Sequence, residues 1–240
     1  MSRPLAGRIA LVTGASRGIG RGIAERLARD GASVMVHYAR SEGIAREVVA
    51  AIGSLGVDAD LVQGDIAELA DVERVIARTR QRFGRLDILV NNAGEAIRGS
   101  FFDMKPADFD RLFAISRGTF FAMQEAARGM GEGGRIVSIT SAAVKSCMAD
   151  AAVYAASKAA IETFSKSLSR EIGVRGITVN CVAPGVTETD MVRDGPEHLL
   201  DSARKGNAFK RLARVEDIAD IVALVVSQDA LWLTGQVIAA

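Results

Sequence analysis

Two cysteines, four prolines, one tryptophan and two tyrosines are a thin supply of bracing and special-purpose residues. Cys147 and Cys181 form no C-x-x-C and share no zinc-type spacing with histidine, so neither a disulfide framework nor a metal site is expected. Charge of one sign is lacking too: 30 Lys and Arg against 29 Asp and Glu leave +1, no field to gather nucleic acid or an anionic membrane. No uncharged run approaches the ~18 residues of a membrane span, and Met1–Gly7 has no apolar signal core. These absences point to a reduced, cytoplasmic globular protein without nucleic-acid or membrane partners. What the chain has is 240 residues, 49% hydrophobic and 25% charged, enough for one domain with a sizeable core.

Short aliphatic runs alternate with segments of helical period, the pattern of a doubly wound α/β fold. Strands are expected near Ile9–Thr13, Ser33–His37, Ala59–Gln63, Ile88–Asn91, Ile136–Ile139, Thr178–Val182 and Gln236–Ile238. Helices are expected at Gly18–Arg29, Glu42–Leu55, Ala67–Phe83, Ala107–Met130, Ala151–Ile172 and Val215–Ser227. Uniformly apolar strands such as Ile88-Leu89-Val90 suit a parallel sheet covered on both faces. The expectation is a single Rossmann-type domain over 1–240 with seven parallel strands flanked by helices. Val186–Asn207, with Gly195, Pro196, Gly206 and mixed charges, shows no clear period; a mobile substrate lid is expected over 186–208.

Thr13-Gly14-Ala15-Ser16-Arg17-Gly18-Ile19-Gly20 leaves the first strand and opens the first helix. Glycines there let backbone approach an anion, and the helix N-terminus offers unpaired N–H groups, so a dinucleotide pyrophosphate would fit. The spacing is G-x-x-x-G-x-G rather than G-x-G-x-x-G, and a glycine turn can also serve packing alone. Both readings stay open on this segment by itself. Elsewhere, Tyr154 and Lys158 stand i and i+4 on one helix face. A neighbouring ammonium is expected to lower the phenol's pKa from about 10 and make it a usable proton donor or acceptor. Ser141 can hydrogen-bond an oxygen on which negative charge develops.

Each of these has an ordinary structural use: a tyrosine on a lysine stem, a serine in a turn, Asn91-Asn92-Ala93-Gly94 as a turn. Their joint placement after strands or on the following helices, where doubly wound sheets bind ligands, favours a site. With Thr13–Gly20, Asn91–Gly94, Ser141 thirteen residues before Tyr154-Ala155-Ala156-Ser157-Lys158, and Pro184-Gly185 followed by Thr189, the chain resembles the short-chain dehydrogenase/reductase family. The resemblance runs from about Ile9 to Ile238, and the wording is most similar to the β-ketoacyl-carrier-protein reductase group. It implies hydride transfer between a nicotinamide and a ketone or secondary alcohol, with Ser141, Tyr154 and Lys158 catalytic. It also implies cofactor contacts from Gly14, Ser16, Arg17, Gly18, Ile19, Gly20, Tyr38, Arg40, Ser41, Asp65, Ile66, Asn91, Ala93, Gly94, Tyr154, Lys158, Pro184, Gly185, Thr187 and Thr189. Asp65 with Ile66 would bracket the adenine, and Thr189 would meet the nicotinamide end.

An acid at the end of the second strand would bind the ribose hydroxyls and repel an added phosphate. Tyr38 stands there instead, followed by Ala39-Arg40-Ser41, and Arg17 supplies a second guanidinium, so NADP(H) is favoured over NAD(H). Two departures from the family's pattern stand out. Phe113-Ala114-Ile115-Ser116-Arg117-Gly118-Thr119-Phe120 is one residue short and lacks the Asn that supports a proton-relay water in relatives, so a local irregularity is expected at 114–118. Relatives also continue beyond Ala239-Ala240 into an acidic-Gly-Gly tail. A cofactor-binding sensor or scaffold that no longer turns over is the competing reading, which the retained Ser141, Tyr154 and Lys158 oppose. Resemblance further implies a homotetramer or homodimer built on the two long helices. Cys181 is expected in the core, Cys147 and Met148 either near the substrate or in loop packing, and neither His37 nor His198 in catalysis.

Overall fold

In the computed structural model, which describes residues 3–189, 192 and 197–240, seven parallel strands form one sheet. They are β1 (Ile9–Val12), β2 (Ser33–Tyr38), β3 (Ala59–Gln63), β4 (Ile88–Asn91), β5 (Arg135–Ile139), β6 (Thr178–Ala183) and β7 (Val237–Ala239). The spatial order is β3-β2-β1-β4-β5-β6-β7, so the chain winds outward from β1 in one direction, then returns and winds the other way from β4. That reversal leaves a crevice at the carboxyl ends of β1 and β4, the place where doubly wound sheets take ligands.

The helices are α1 (Gly18–Arg29), α2 (Glu42–Gly53), α3 (Leu69–Phe83), α4 (Pro106–Gly129), α5 (Ala143–Ser146), α6 (Ala152–Ile172), α7 (Glu197–Gly206) and α8 (Val215–Val226). β1, β4, β5 and β6 are buried throughout because helices cover both faces, and in β1 and β4 this leaves near-continuous aliphatic runs. On one face α1 and α8 bury Ile23, Leu27, Ile218 and Val222 against Val12, Val34 and Val90. On the other, α3, α4 and α6 cover Leu11, Met35, Leu89 and Val179 with Val75, Ile76, Met123 and Ile172. Each fully buried aliphatic side chain contributes about 1.5–3 kcal/mol, so the sheet is a rigid floor for the loops above it.

Two expectations need correction. The stretch read as aperiodic contains α7, which begins with Glu197, ends with Arg204 and Lys205, and is tied by Arg204 to Asp201 (2.7 Å) and Glu197 (2.6 Å). Acid at the start and base at the end match the helix dipole, a signal that an apolar-period search passes over. Of the expected 186–208 lid, Gly195 and Pro196 lie outside the described residues, as does the side chain of His198.

The second correction concerns 114–118. α4 runs unbroken through it with regular packing: Ser116 is buried, donating to the carbonyl oxygens of Ser157 (3.0 Å) and Leu112 (3.2 Å). Gly118 lies so close to the turn after β3 that a Cβ there would overlap the Ile66 carbonyl oxygen, a backbone atom that cannot step aside. Gly118→Ala should therefore cost about 3 kcal/mol through overpacking, read as a lower urea midpoint with an unchanged m-value. A midpoint equal to wild type would show that α4 can slide away from Ile66.

Candidate active site

The glycine loop after β1 is shaped by close contacts that only glycine permits. Gly14 (φ +64°) and Gly18 (φ +55°) are left-handed, and a Cβ on Gly20 would overlap the Gly14 carbonyl oxygen and the Asn92 amide. Thr13 and Asn92 hold the loop to the end of β4. The Thr13 hydroxyl accepts from the Asn92 and Ala93 N–H groups (2.9 and 3.0 Å), while Asn92 Nδ2 donates to the carbonyls of Thr13 (2.9 Å) and Gly14 (3.1 Å). α1 then starts at Gly18 with Arg17 as N-cap, no side-chain cap and no acid in its first turn. Its first amides are thus left to an external anion. This tightly turned loop, with the first α1 amides uncapped by any side chain, fits a pyrophosphate.

Around the loop the structure gathers most of the residues singled out in the sequence. Tyr38 ends β2 and is buried; Ser41 is the N-cap of α2 without a side-chain cap bond; Arg40 lies close enough to Asp65 to lower its pKa. The Asp65 carboxylate is held below the usual range against its own burial, chiefly by Arg111 (2.9 Å) and by the Ala67 N–H (2.9 Å). Arg111 also pairs with Glu95, so one α4 side chain ties the turn after β3 to the segment after β4. Ile66 is buried beside it, and Asn91 donates to Ser138 Oγ (3.3 Å). Past β6, the Gly185 N–H donates to the Ala240 carbonyl (2.7 Å), Thr187 pairs with Ala213, and the Pro184 carbonyl accepts from Ala142 (2.9 Å). Thr189 reaches the glycine loop, its methyl 3.5 Å from where a Gly18 Cβ would lie.

Ser141, Tyr154 and Lys158 converge at the ends of β4 and β5. Ser141 Oγ accepts from the Ala143 N–H (3.1 Å), keeping its own hydrogen to donate. Lys158 Nζ is buried, donates to the Ile139 carbonyl (3.0 Å), and sits 3.2 Å from a Cβ built on Gly94. Burial pulls its pKa from 10.5 down to about 8. For Tyr154 the expected depression by Lys158 is not what the geometry gives. Burial raises the phenol's pKa, and the opposing influences are hydrogen bonding with Ser141 and the charge of Arg98. The reason is that Lys158 directs its ammonium to the Ile139 carbonyl rather than to the phenol, which leaves burial as the largest influence on Tyr154. Arg98 is bonded to Asp150 (2.8 Å), so the segment carrying Phe101 and Phe102 is fastened to the turn before α6.

Lys158 carries a stability prediction. Its folded pKa lies below its ordinary value, so between the two the unfolded chain binds more protons and stability rises with pH. Wild type should therefore gain on Lys158→Met when urea midpoints at about pH 7 and about pH 9.5 are compared without added ligand. An equal change in both proteins would place the titration elsewhere.

Beside Lys158, a cavity of about 10 Å³ is lined by Gly94, Glu95, Leu112, Ser116 and Ser157, among others, room for a single water. Thr13 and Asn92 lie inside the sequence motifs, but their bonding roles, like that of His37, emerge only from the fold. His37 is buried with both ring nitrogens engaged: Nδ1 accepts from the Gly14 N–H and Nε2 meets the Gly64 carbonyl, each at 3.0 Å. Cys181 is buried in the core, where burial drives its thiol up to about 11, whereas Cys147 is exposed in the turn before α6.

The family model described as "Enoyl-(Acyl carrier protein) reductase" matches residues 14–240. The hydroxynaphthalene reductase-like protein Arp2 of Metarhizium majus is 41% identical, over 98% of this chain and 94% of its own. A short-chain dehydrogenase of Burkholderia cenocepacia, solved in complex with NADP, is 43% identical with TM-score 0.95, covering 98% of this chain and 97% of its own. The angucycline C-6 ketoreductase LanV, solved with bound NADP, is 39% identical with TM-score 0.94, covering 100% and 96%. This chain belongs to the short-chain dehydrogenase/reductase family, an oxidoreductase class. Among the described residues no helix is long and apolar enough to cross a membrane.

Proposed function

We propose that the protein is an NADP(H)-dependent carbonyl reductase in which Tyr154 is the proton donor. The observation that carries this is the convergence of Ser141, Tyr154 and Lys158 beside a glycine cradle shaped for pyrophosphate. Gly14, Ser16, Gly18, Ile19 and Gly20 would hold the pyrophosphate, Arg17 and Arg40 with Ser41 the ribose phosphate, and Asp65 and Ile66 the adenine. Asn91, Ala93, Gly94, Lys158, Pro184, Gly185, Thr187 and Thr189 would line the nicotinamide end. The bound dinucleotide supplies hydride to the carbonyl carbon. Ser141 donates a hydrogen bond to the carbonyl oxygen, and the Tyr154 phenol gives that oxygen its proton. Lys158 and the adjoining cavity then return a proton to Tyr154.

The substrate class we favour is a ketone on a fused aromatic polyketide-type skeleton. Phe101 and Phe102, 73% and 94% exposed and set edge to face, stand on the segment fastened to the Met148–Asp150 turn. They give the entrance flat apolar surface, and Arg98 beside it suits phenolic oxygens. Relatives named for hydroxynaphthalene and angucycline ketones accord with this. We place the enzyme in the cytoplasm as a homodimer or homotetramer packed through α4 and α6, where Phe120 and Ala156 are exposed.

The test of the cofactor is the double variant Arg17→Ala/Arg40→Ala. NADPH affinity should fall by about 1–3 kcal/mol, with NADH affinity nearly unchanged, because only the added phosphate loses its guanidinium partners. Equal losses for both dinucleotides would remove the phosphate assignment.

A further inference from the structure

The Gly14 peptide is gripped from both sides by side chains. Its carbonyl accepts from Asn92 and its N–H donates to His37 Nδ1 (3.0 Å), fixing the left-handed turn from which the glycine loop departs. His37 Nε2 lies 3.0 Å from the carbonyl of Gly64, the residue before Asp65. These two neighbours dictate the ring's state. An N–H at Gly14 requires an acceptor at Nδ1, and a carbonyl at Gly64 requires a donor at Nε2, so the imidazole is the neutral Nε2–H tautomer. Burial works the same way, pulling the pKa down to about 4 although Asp65 and Asp71 favour the charged form and Arg74 opposes it. His37 stands in β2, between β1 and β3, and so joins the loops that follow its two neighbouring strands.

We propose that His37 is a positioning residue for the dinucleotide: its Nδ1 accepts from the Gly14 N–H and fixes the glycine loop, while the Gly64 carbonyl holds the ring in the Nε2–H tautomer that makes Nδ1 an acceptor. It acts through the loops and touches no cofactor atom. The inference rests on the NADP(H) reading above, because the adenosine end would lie between those two loops. An apolar side chain of similar volume would fill the space equally well, so the two hydrogen bonds, rather than bulk, are what the ring adds.

The two bonds can be removed one at a time. In His37→Asn the amide oxygen takes the place of Nδ1 and still accepts from Gly14, while the bond to Gly64 is lost. In His37→Gln the amide nitrogen takes the place of Nε2 and still donates to Gly64, while the bond to Gly14 is lost. Both variants should lose similar amounts of Tm. NADPH affinity, followed by the fluorescence of the bound dinucleotide, should stay within about threefold of wild type for Asn and fall about tenfold or more for Gln, since only Gln frees the glycine loop. Affinity losses that simply track Tm would reduce His37 to a core residue and overturn the proposal. Wild type that failed to bind NADPH would overturn the NADP(H) reading and this inference with it, an outcome distinct from equal variants of a binding protein. If the Gln variant does not fold, ¹⁵N shifts of the wild-type imidazole decide: the Nε2–H tautomer with a hydrogen-bonded Nδ1, unchanged on adding NADPH, is expected. An imidazolium or the Nδ1–H tautomer would contradict the bridge.

Discussion

Tyr154→Phe should lower turnover by about 10²–10⁴ while leaving NADPH affinity within a few-fold of wild type. The substitution keeps the ring that fills the half-buried space above Lys158 and removes only the hydroxyl that Ser141 hydrogen-bonds. The proton must then come from water, without a positioned acid at the carbonyl oxygen. KM for the ketone should change little, because the phenol's interaction strengthens only as charge develops in the transition state. Steady-state rates with fluorescence titration of NADPH separate the two effects. Near-normal turnover on a substrate that wild type reduces well would remove Tyr154 from the chemistry.

The second large effect is on stability and lies in α4. Inserting an Asn between Ile115 and Ser116 would give the segment the length that the family's pattern implies. It would also rotate everything beyond it by about 100°, because a turn takes about 3.6 residues. In this chain that rotation carries Gly118 away from the Ile66 carbonyl it must clear and breaks the bond from Ser116 to Ser157. Thr119, Ala122, Met123 and Ala126, now buried, would turn with it. The insertion should cost about 3–5 kcal/mol, the sum expected of an overpacked contact and lost buried hydrogen bonds, with no gain in turnover. Urea unfolding of the insertion variant reads this directly. Wild-type stability with faster turnover would show that the shortened segment is a defect rather than a settled alternative packing.

The strands were legible because burial on both faces leaves runs such as Ile88-Leu89-Val90 with no polar member, and the structure moves their ends by a residue or so. The site's framework was legible for a related reason: Gly14–Gly20, Ser141, Tyr154 and Lys158 follow strands or open helices, and strand order puts those ends together. Three things were not. α7 is built on Glu197, Asp201 and Arg204, ion pairs on a polar helix that an apolar-period search does not weigh. His37 owes its place to backbone groups of Gly14 and Gly64, 23 and 27 residues away in sequence, which no spacing of side-chain types reveals. The rise in the Tyr154 pKa depends on burial and on where Lys158 sends its ammonium, the Ile139 carbonyl, whereas the i, i+4 spacing gives only that the two residues share a helix face.

The central claim, proton donation by Tyr154 in an NADPH-dependent carbonyl reduction, is tested most directly by following NADPH absorbance with a panel of ketones. The panel should hold a hydroxynaphthalenone, a fused-ring quinone and an acetoacetyl thioester, each run with wild type and with Tyr154→Phe. The account predicts that wild type consumes NADPH and forms one alcohol from each ketone, or one hydroquinone from the quinone, per NADPH oxidised, fastest with the fused-ring substrates, and that Tyr154→Phe binds NADPH but consumes it at least about a hundredfold more slowly. Consumption at the same rate by both proteins, or NADPH binding by wild type with no consumption across the whole panel, would contradict it.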